Sequence, residues 1–252
     1  MLMIKKIDEG DAIPWFKHKG NGGWIGRTIR IGHSQDHFIL SKEGQSLTYV
    51  SVENTDNNFV IDVPLGGWII DTYCLPGDRV LLLTTDGYLL LYSYSPDSKQ
   101  SELLNQYQIK LNEAREEESV TLTICKNFEL IAIATRTLKG ENRYPTSRII
   151  LFKLYGEDIV MLDEIDLSDN EGNSYFAAMK FYKFSLDIQI LVALNSVAPC
   201  YVYSFIFDGK KLEEFKKYRT KVEVDGIRNL VEFGDGFATV DRYTKMIKIS
   251  YT

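Results

Sequence analysis

Apolar residues along the chain fall in short runs in which polar and apolar positions alternate, each run closing on Gly, Asn, Asp or Ser. TYVSVEN from Thr48, LYSYSPD from Leu91, LFKLYGED from Leu151, YSFIFDGK from Tyr203 and MIKISYT from Met246 all have this form. A period of two with β-branched and aromatic residues predicts strands, and the polar breaks predict turns. Val80–Tyr92, VLLLTTDGYLLLY, is apolar on both sides of Asp86-Gly87. It predicts a tight hairpin that turns at Asp86-Gly87, because Asp-Gly suits the positive φ that a two-residue turn needs. Only 101–118 and 210–217 compete as helices, and both are short and charged enough to be strand edges or single loop helices.

The strands repeat. GGWI occurs at Gly22–Ile25 and again at Gly66–Ile69, 44 residues on, with Thr28 and Thr72 three residues after each copy. Taking Val50, Tyr92, Phe152, Phe205 and Ile247 as equivalent gives steps of 42, 60, 53 and 42. A unit near 42 residues with two insertions is the period of β-propeller blades, each a four-stranded antiparallel sheet. The second unit reads as strands over 68–75, 80–85, 88–94 and 103–111, and the third carries its insertion at 136–147. The last unit, 227–252, offers three strands. Residues 3–8 resemble the closing strand of the third unit, Ile7-Asp8 matching Ile165-Asp166. An N-terminal strand completing the C-terminal blade would cover two edges prone to aggregation. The expectation is one all-β domain over 1–252, a propeller of five blades, with six as the alternative if 11–26 forms extra structure.

In period and strand pattern the whole chain resembles the WD-repeat-like β-propeller superfamily. No unit carries the Trp-Asp dipeptide of that family, and its one Gly-His pair, Gly32-His33, follows a first strand where the family's precedes it. The resemblance implies a rigid platform that binds other protein subunits, commonly within a larger assembly.

Composition narrows the function. A hydrophobic fraction of 44% supports a sizeable core, and a net charge of −6 opposes a surface built to follow a phosphate backbone, so nucleic acid is not an expected partner. No apolar run reaches the roughly 18 residues of a membrane span. The N-terminus meets charge at Lys5 and lacks a secretory pattern, so an intracellular, cytoplasmic protein is expected. Cys74, Cys125 and Cys200 lie far apart and read as buried thiols.

Candidate chemistry is sparse. His33, Asp36 and His37 form the one close group of potential metal ligands, but on a strand the two histidines stand about 13 Å apart, too far for one ion. The segment reads as a polar turn, and no metal or other cofactor is expected. KGNGG at 19–23 precedes strands rather than a helix, so it reads as a turn and not a phosphate cradle. Asp62, Asp71, Asp86, Asp166 and Asp241 lie near strand ends and could converge as the paired acids of a glycoside hydrolase. Trp15, Trp24 and Trp68 read as blade packing. The acidic run 113–118 and the basic stretch 210–221 read as solvated loops, with complementary docking surfaces as the other reading. The long insertion 135–147 brings Arg136, Arg143 and Tyr144, residue types favoured in binding hot spots. The reading is therefore a non-catalytic protein-binding scaffold; the alternatives are a propeller-type glycoside hydrolase and a small-ligand or glycan-binding module.

Overall fold

The computed structural model describes residues 2–4, 13–16, 25–32, 34–42, 46–53, 57–64, 67–125, 127, 129–137, 146–167, 175–184, 187–195, 200–214, 220–222, 227–233, 236–241 and 247–251. They form an antiparallel all-β structure. A hairpin of β1 (Leu2–Ile4) and β2 (Ile13–Phe16) precedes five sheets. Sheet I is β3 (Ile25–Ile31), β4 (His37–Lys42), β5 (Ser46–Ser51) and β6 (Asn58–Asp62). Sheet II is β7 (Ile69–Leu75), β8 (Arg79–Thr84), β9 (Tyr88–Ser95) and β10 (Gln100–Gln108). Sheet III is β11 (Glu117–Ile124), β12 (Leu130–Thr137), β13 (Thr146–Tyr155) and β14 (Asp158–Asp166). In sheet IV, β15 (Tyr175–Phe184), β16 (Asp187–Asn195) and β17 (Cys200–Phe207) are followed by a fourth strand in two pieces, β18 (Leu212–Glu214) and β19 (Thr220–Val222), each paired with β17. Sheet V is β20 (Ile227–Phe233), β21 (Gly236–Asp241) and β22 (Ile247–Tyr251).

Within each sheet the strands run in chain order, as successive hairpins do. The first strands touch in series: β3 with β7, β7 with β11, β11 with β15 and β15 with β20. The sheets stack face to face, and strand alternation shows how. On β8 and β9, Leu81, Leu83, Leu89 and Leu91 pack against sheet III, while Val80, Leu82, Leu90 and Tyr92 pack against sheet I. On β12, Ile131 and Ile133 face sheet II, and Leu130, Ala132 and Ala134 face sheet IV. On β16, Ile190 and Val192 face sheet III, and Leu191 and Ala193 face sheet V. A strand between two neighbours loses its polar face, because successive side chains enter two different cores. The outer strands β10 and β14 expose most of their residues, which solvates the sheet edges.

Several expectations shift by a few residues. The segments that competed as helices contribute β10, a single turn of 3-10 helix at Glu113–Arg115, and β18. Of the expected closing strand 3–8, residues 5–8 lie outside the described set. Met3 and Ile4 belong to β1, which pairs with β2, and among the described residues β22 has β21 as its neighbour. Cys74 and Cys125 are buried thiols.

The polar turn expected at Ser34–His37 is exposed at Ser34, Gln35 and Asp36, but His37 is buried. It begins β4 and stacks on Tyr49 at 4.8 Å, with the Tyr94 ring edge-on at 5.4 Å. Nδ1 bonds to Asp36 Oδ1 and Nε2 to the Tyr94 hydroxyl, both at 2.5 Å, so the ring joins sheet I to sheet II. Burial first, then Cys74 and Asp78, pushes the Tyr94 hydroxyl well above its ordinary value and keeps it a donor. Gly32 lies directly over this ring, and any Cβ there would overlap it. Gly32→Ala is expected to cost about 1–3 kcal/mol, the usual range for overpacking. Urea unfolding of the variant checks this; an unchanged midpoint would mean that the ring moves aside freely.

Candidate functional site

Because the strands of each sheet alternate in direction, the first and third strands start, and the second and fourth end, on one face. Between sheets II and III that face carries two clefts separated by Glu117. One, of about 530 Å³, is lined by Trp68, Ile70, Thr85, Asp86, Glu116, Glu117, Glu118, Ser119, Val120 and Arg136. The other, of about 410 Å³, is lined by Lys110–Glu113, Glu117, Thr137, Arg148 and Asp166.

The floor of the first cleft is built on Thr85, just past the end of β8. Its N–H donates to Trp68 O at 2.9 Å, and its Oγ1 accepts from the Trp68 N–H at 3.1 Å. Its carbonyl accepts from the Ser119 N–H at 3.2 Å, which ties sheet II to sheet III. Gly67 allows this approach, since a Cβ there would overlap Thr85 Oγ1 and Asp86 Oδ1. Trp68 therefore ends beside the Asp86 turn, 56% exposed. This corrects its reading as blade packing: it precedes β7, so the pleat does not direct it into a core. Trp24, its partner in the GGWI repeat, lies outside the described residues.

Glu117 is a heavily bonded carboxylate on this face. Its side chain, 2% exposed, accepts from Thr135 Oγ1 at 2.6 Å and from the Asn112 N–H at 2.8 Å. Arg148 adds a two-pronged contact, Nε to Oε1 and Nη2 to Oε2, each at 2.8 Å. The same guanidinium donates to Glu164 at 2.9 Å and to Lys110 O at 2.8 Å. Burial pushes the Glu117 carboxyl up, but the bonds from Arg148, Thr135 and Asn112 and the Arg148 charge outweigh it. The group sits below the ordinary glutamate value. The arrangement holds β11, β12, β13 and the connection from β10 in one register at the wall between the clefts.

Arg136, at the end of β12, donates from Nε to Glu118 Oε1 at 2.6 Å and lines the first cleft. Arg143 and Tyr144 lie outside the described residues, although β12 ends and β13 starts on this same face. Asp71 is buried and joins two sheets, its Oδ2 accepting from Thr121 Oγ1 at 2.9 Å and from the Leu122 N–H at 3.2 Å. Asp86 lines one cleft and Asp166 the other, while Asp62 ends the outer strand β6. The Asp241 side chain and His33 lie outside the described residues.

Sequence reasoning missed Glu117, Arg148 and Ser119. Glu117 was one acid in a run of loop residues, and its partner stands 31 positions away. A single sequence carries no signal for that pairing.

No known protein-family profile matches the chain, and no curated protein matches it by sequence. Its likeness to solved structures is nevertheless extensive. It resembles the Dos1 propeller at 12% identity and TM-score 0.57, with 84% of this chain and 52% of that chain covered. It resembles the β-propeller domain of Myceliophteria thermophila Cps50 (Swd1) at 9% identity and TM-score 0.54, covering 89% of this chain and 82% of that one. The periplasmic gluconolactonase PpgL of Pseudomonas aeruginosa is similar at 13% identity and TM-score 0.59, covering 88% and 64%. The chain has the β-propeller fold, and it spans about half of the Dos1 structure. Among the described residues no helix is long and apolar enough to cross a membrane.

Proposed function

We propose that this chain is a non-catalytic, WD-repeat-like scaffold that binds other protein subunits inside the cell, using the face on which the first strands of its sheets begin. The observation that carries this reading is the half-exposed Trp68 in an open cleft with Arg136, beside the strand ends that bound the 138–145 segment. Exposed Trp and Arg on a rigid framework are the residue types that dominate binding energy at protein interfaces. The likeness to the Dos1 and Cps50 (Swd1) propellers agrees with it at the level of fold.

The alternative, a hydrolase acting on sugars, draws on Glu113, Glu117 and Asp166 around the second cleft and on the likeness to gluconolactonase-type propellers. It is the weaker reading because Glu117 is committed to Arg148 and held ionised, which suits neither a general acid nor a mobile base. Tagged wild-type protein should co-purify stoichiometric protein partners that a Trp68→Ala/Arg136→Ala variant of unchanged melting temperature loses. Recovery of the same partners by both would sink the assignment to this face. Turnover of aryl glycosides or sugar lactones that Asp166→Asn abolishes would replace it with the hydrolase reading.

A further inference from the structure

The cleft around Trp68 is acidic. Four carboxylates and one guanidinium line it, a formal charge of −3, and Arg148 behind Glu117 brings the neighbourhood to −2. Arg136 pairs with Glu118 through that residue's Oε1. Charge alone would describe a solvated rim, but the lining also holds Ser119. That residue is 1% exposed, and its Oγ lacks a hydrogen-bond partner among the described residues. Buried hydroxyls in folded proteins are almost always paired, so an unpaired one on a residue that lines a cleft marks a place for a polar group that arrives from outside. The exposed Trp68 indole adds a flat apolar wall whose π-face attracts cations.

Resting on the scaffold reading above, we infer that this cleft receives a lysine side chain from a basic segment of the partner protein. The alkyl stem lies along Trp68, the ammonium enters among the carboxylates, and one N–H donates to Ser119 Oγ. Lysine fits better than arginine. An ammonium is a compact charge with three donors that can divide between a hydroxyl and carboxylates, whereas a guanidinium needs a carboxylate presented edge-on. Glu117 already spends that geometry on Arg148, and Glu118 holds Arg136 through Oε1. The overall charge of −6 favours a basic partner in the same sense.

The test is calorimetric titration of the full chain, at physiological salt, with three synthetic dodecapeptides that differ only in carrying lysines, acetyl-lysines or arginines at the same positions. The lysine peptide is expected to bind at least tenfold more tightly than the acetylated one, and more tightly than the arginine one. Trp68→Leu should weaken it about tenfold and Ser119→Ala about fivefold. Because Ser119→Ala removes an unpaired buried hydroxyl, its melting temperature should hold or rise, which separates lost binding from lost folding. Equal binding of lysine and arginine peptides with no response to Ser119→Ala would reduce the effect to general electrostatics and overturn the inference, as would no binding at all. Should the peptides fail while wild-type protein still loses its co-purified partners on Trp68→Ala/Arg136→Ala substitution, the lysine site falls and the scaffold reading stands.

Discussion

Glu117→Gln is expected to destabilise the protein by about 3 kcal/mol or more, because it leaves the mostly buried Arg148 guanidinium without its two-pronged partner. Arg148→Met should cost a similar amount by stranding the Glu117 charge. The double variant should cost less than the two single changes added together, since neither residual charge is then present. Guanidinium unfolding of the four proteins measures the coupling. The effect is also linked to pH. The folded-state value of Glu117 is depressed, so its contribution is complete above the ordinary value of 4.5 and is lost as pH falls through the lower folded value. Wild type should therefore lose stability on acidification below pH 4.5 more steeply than Glu117→Gln. Parallel acid titrations would show that Glu117 is not held ionised by folding.

Phe152→Ala should have the larger effect, about 3–5 kcal/mol. Phe152 is fully buried on β13 within the core between sheets II and III, and the Tyr107 ring from β10 meets it edge-on at 5.0 Å. Truncation opens a cavity between two sheets that cannot close on it without shifting their strands. Against a typical domain stability of about 5–15 kcal/mol, that loss puts the variant near unfolding. Val160→Ala, on the exposed side of the outer strand β14, should stay within about 0.5 kcal/mol. Thermal melts of both variants provide the comparison. Similar losses at 152 and 160 would contradict the stacking of sheet III on sheet II.

Parts of this organisation were legible without coordinates. In the second unit, strands expected over 68–75, 80–85 and 88–94 appear as Ile69–Leu75, Arg79–Thr84 and Tyr88–Ser95, because alternation and the Asp86-Gly87 turn are local signals. The fourth strand is shifted by three residues from the expected 103–111. It starts at Gln100 and stops at Gln108, after which Ile109 turns its N–H to Gly87 O and the chain leaves the sheet. The three strands of the last unit were equally readable. Arg136 lines a cleft at the end of β12, and for Trp68 the pattern suggested a core position where the structure has an exposed one. GGWI repeats because the entry to a first strand repeats, and that periodicity does not say on which side of the entry the indole lies.

The order of short strands, their grouping in units near 42 residues and the antiparallel sheets that follow were determined by the sequence itself. Strand alternation and turn chemistry act between neighbours a few residues apart. Which faces of neighbouring sheets meet, that Glu117 pairs with Arg148 rather than joining an acidic loop, that His37 is walled in by Tyr49 and Tyr94, and that Ser119 is buried beside an exposed Trp68 were decided only in the tertiary structure. Those outcomes depend on side chains separated by 12 to 57 positions or on the seam between two sheets, where packing and desolvation act and local pattern does not.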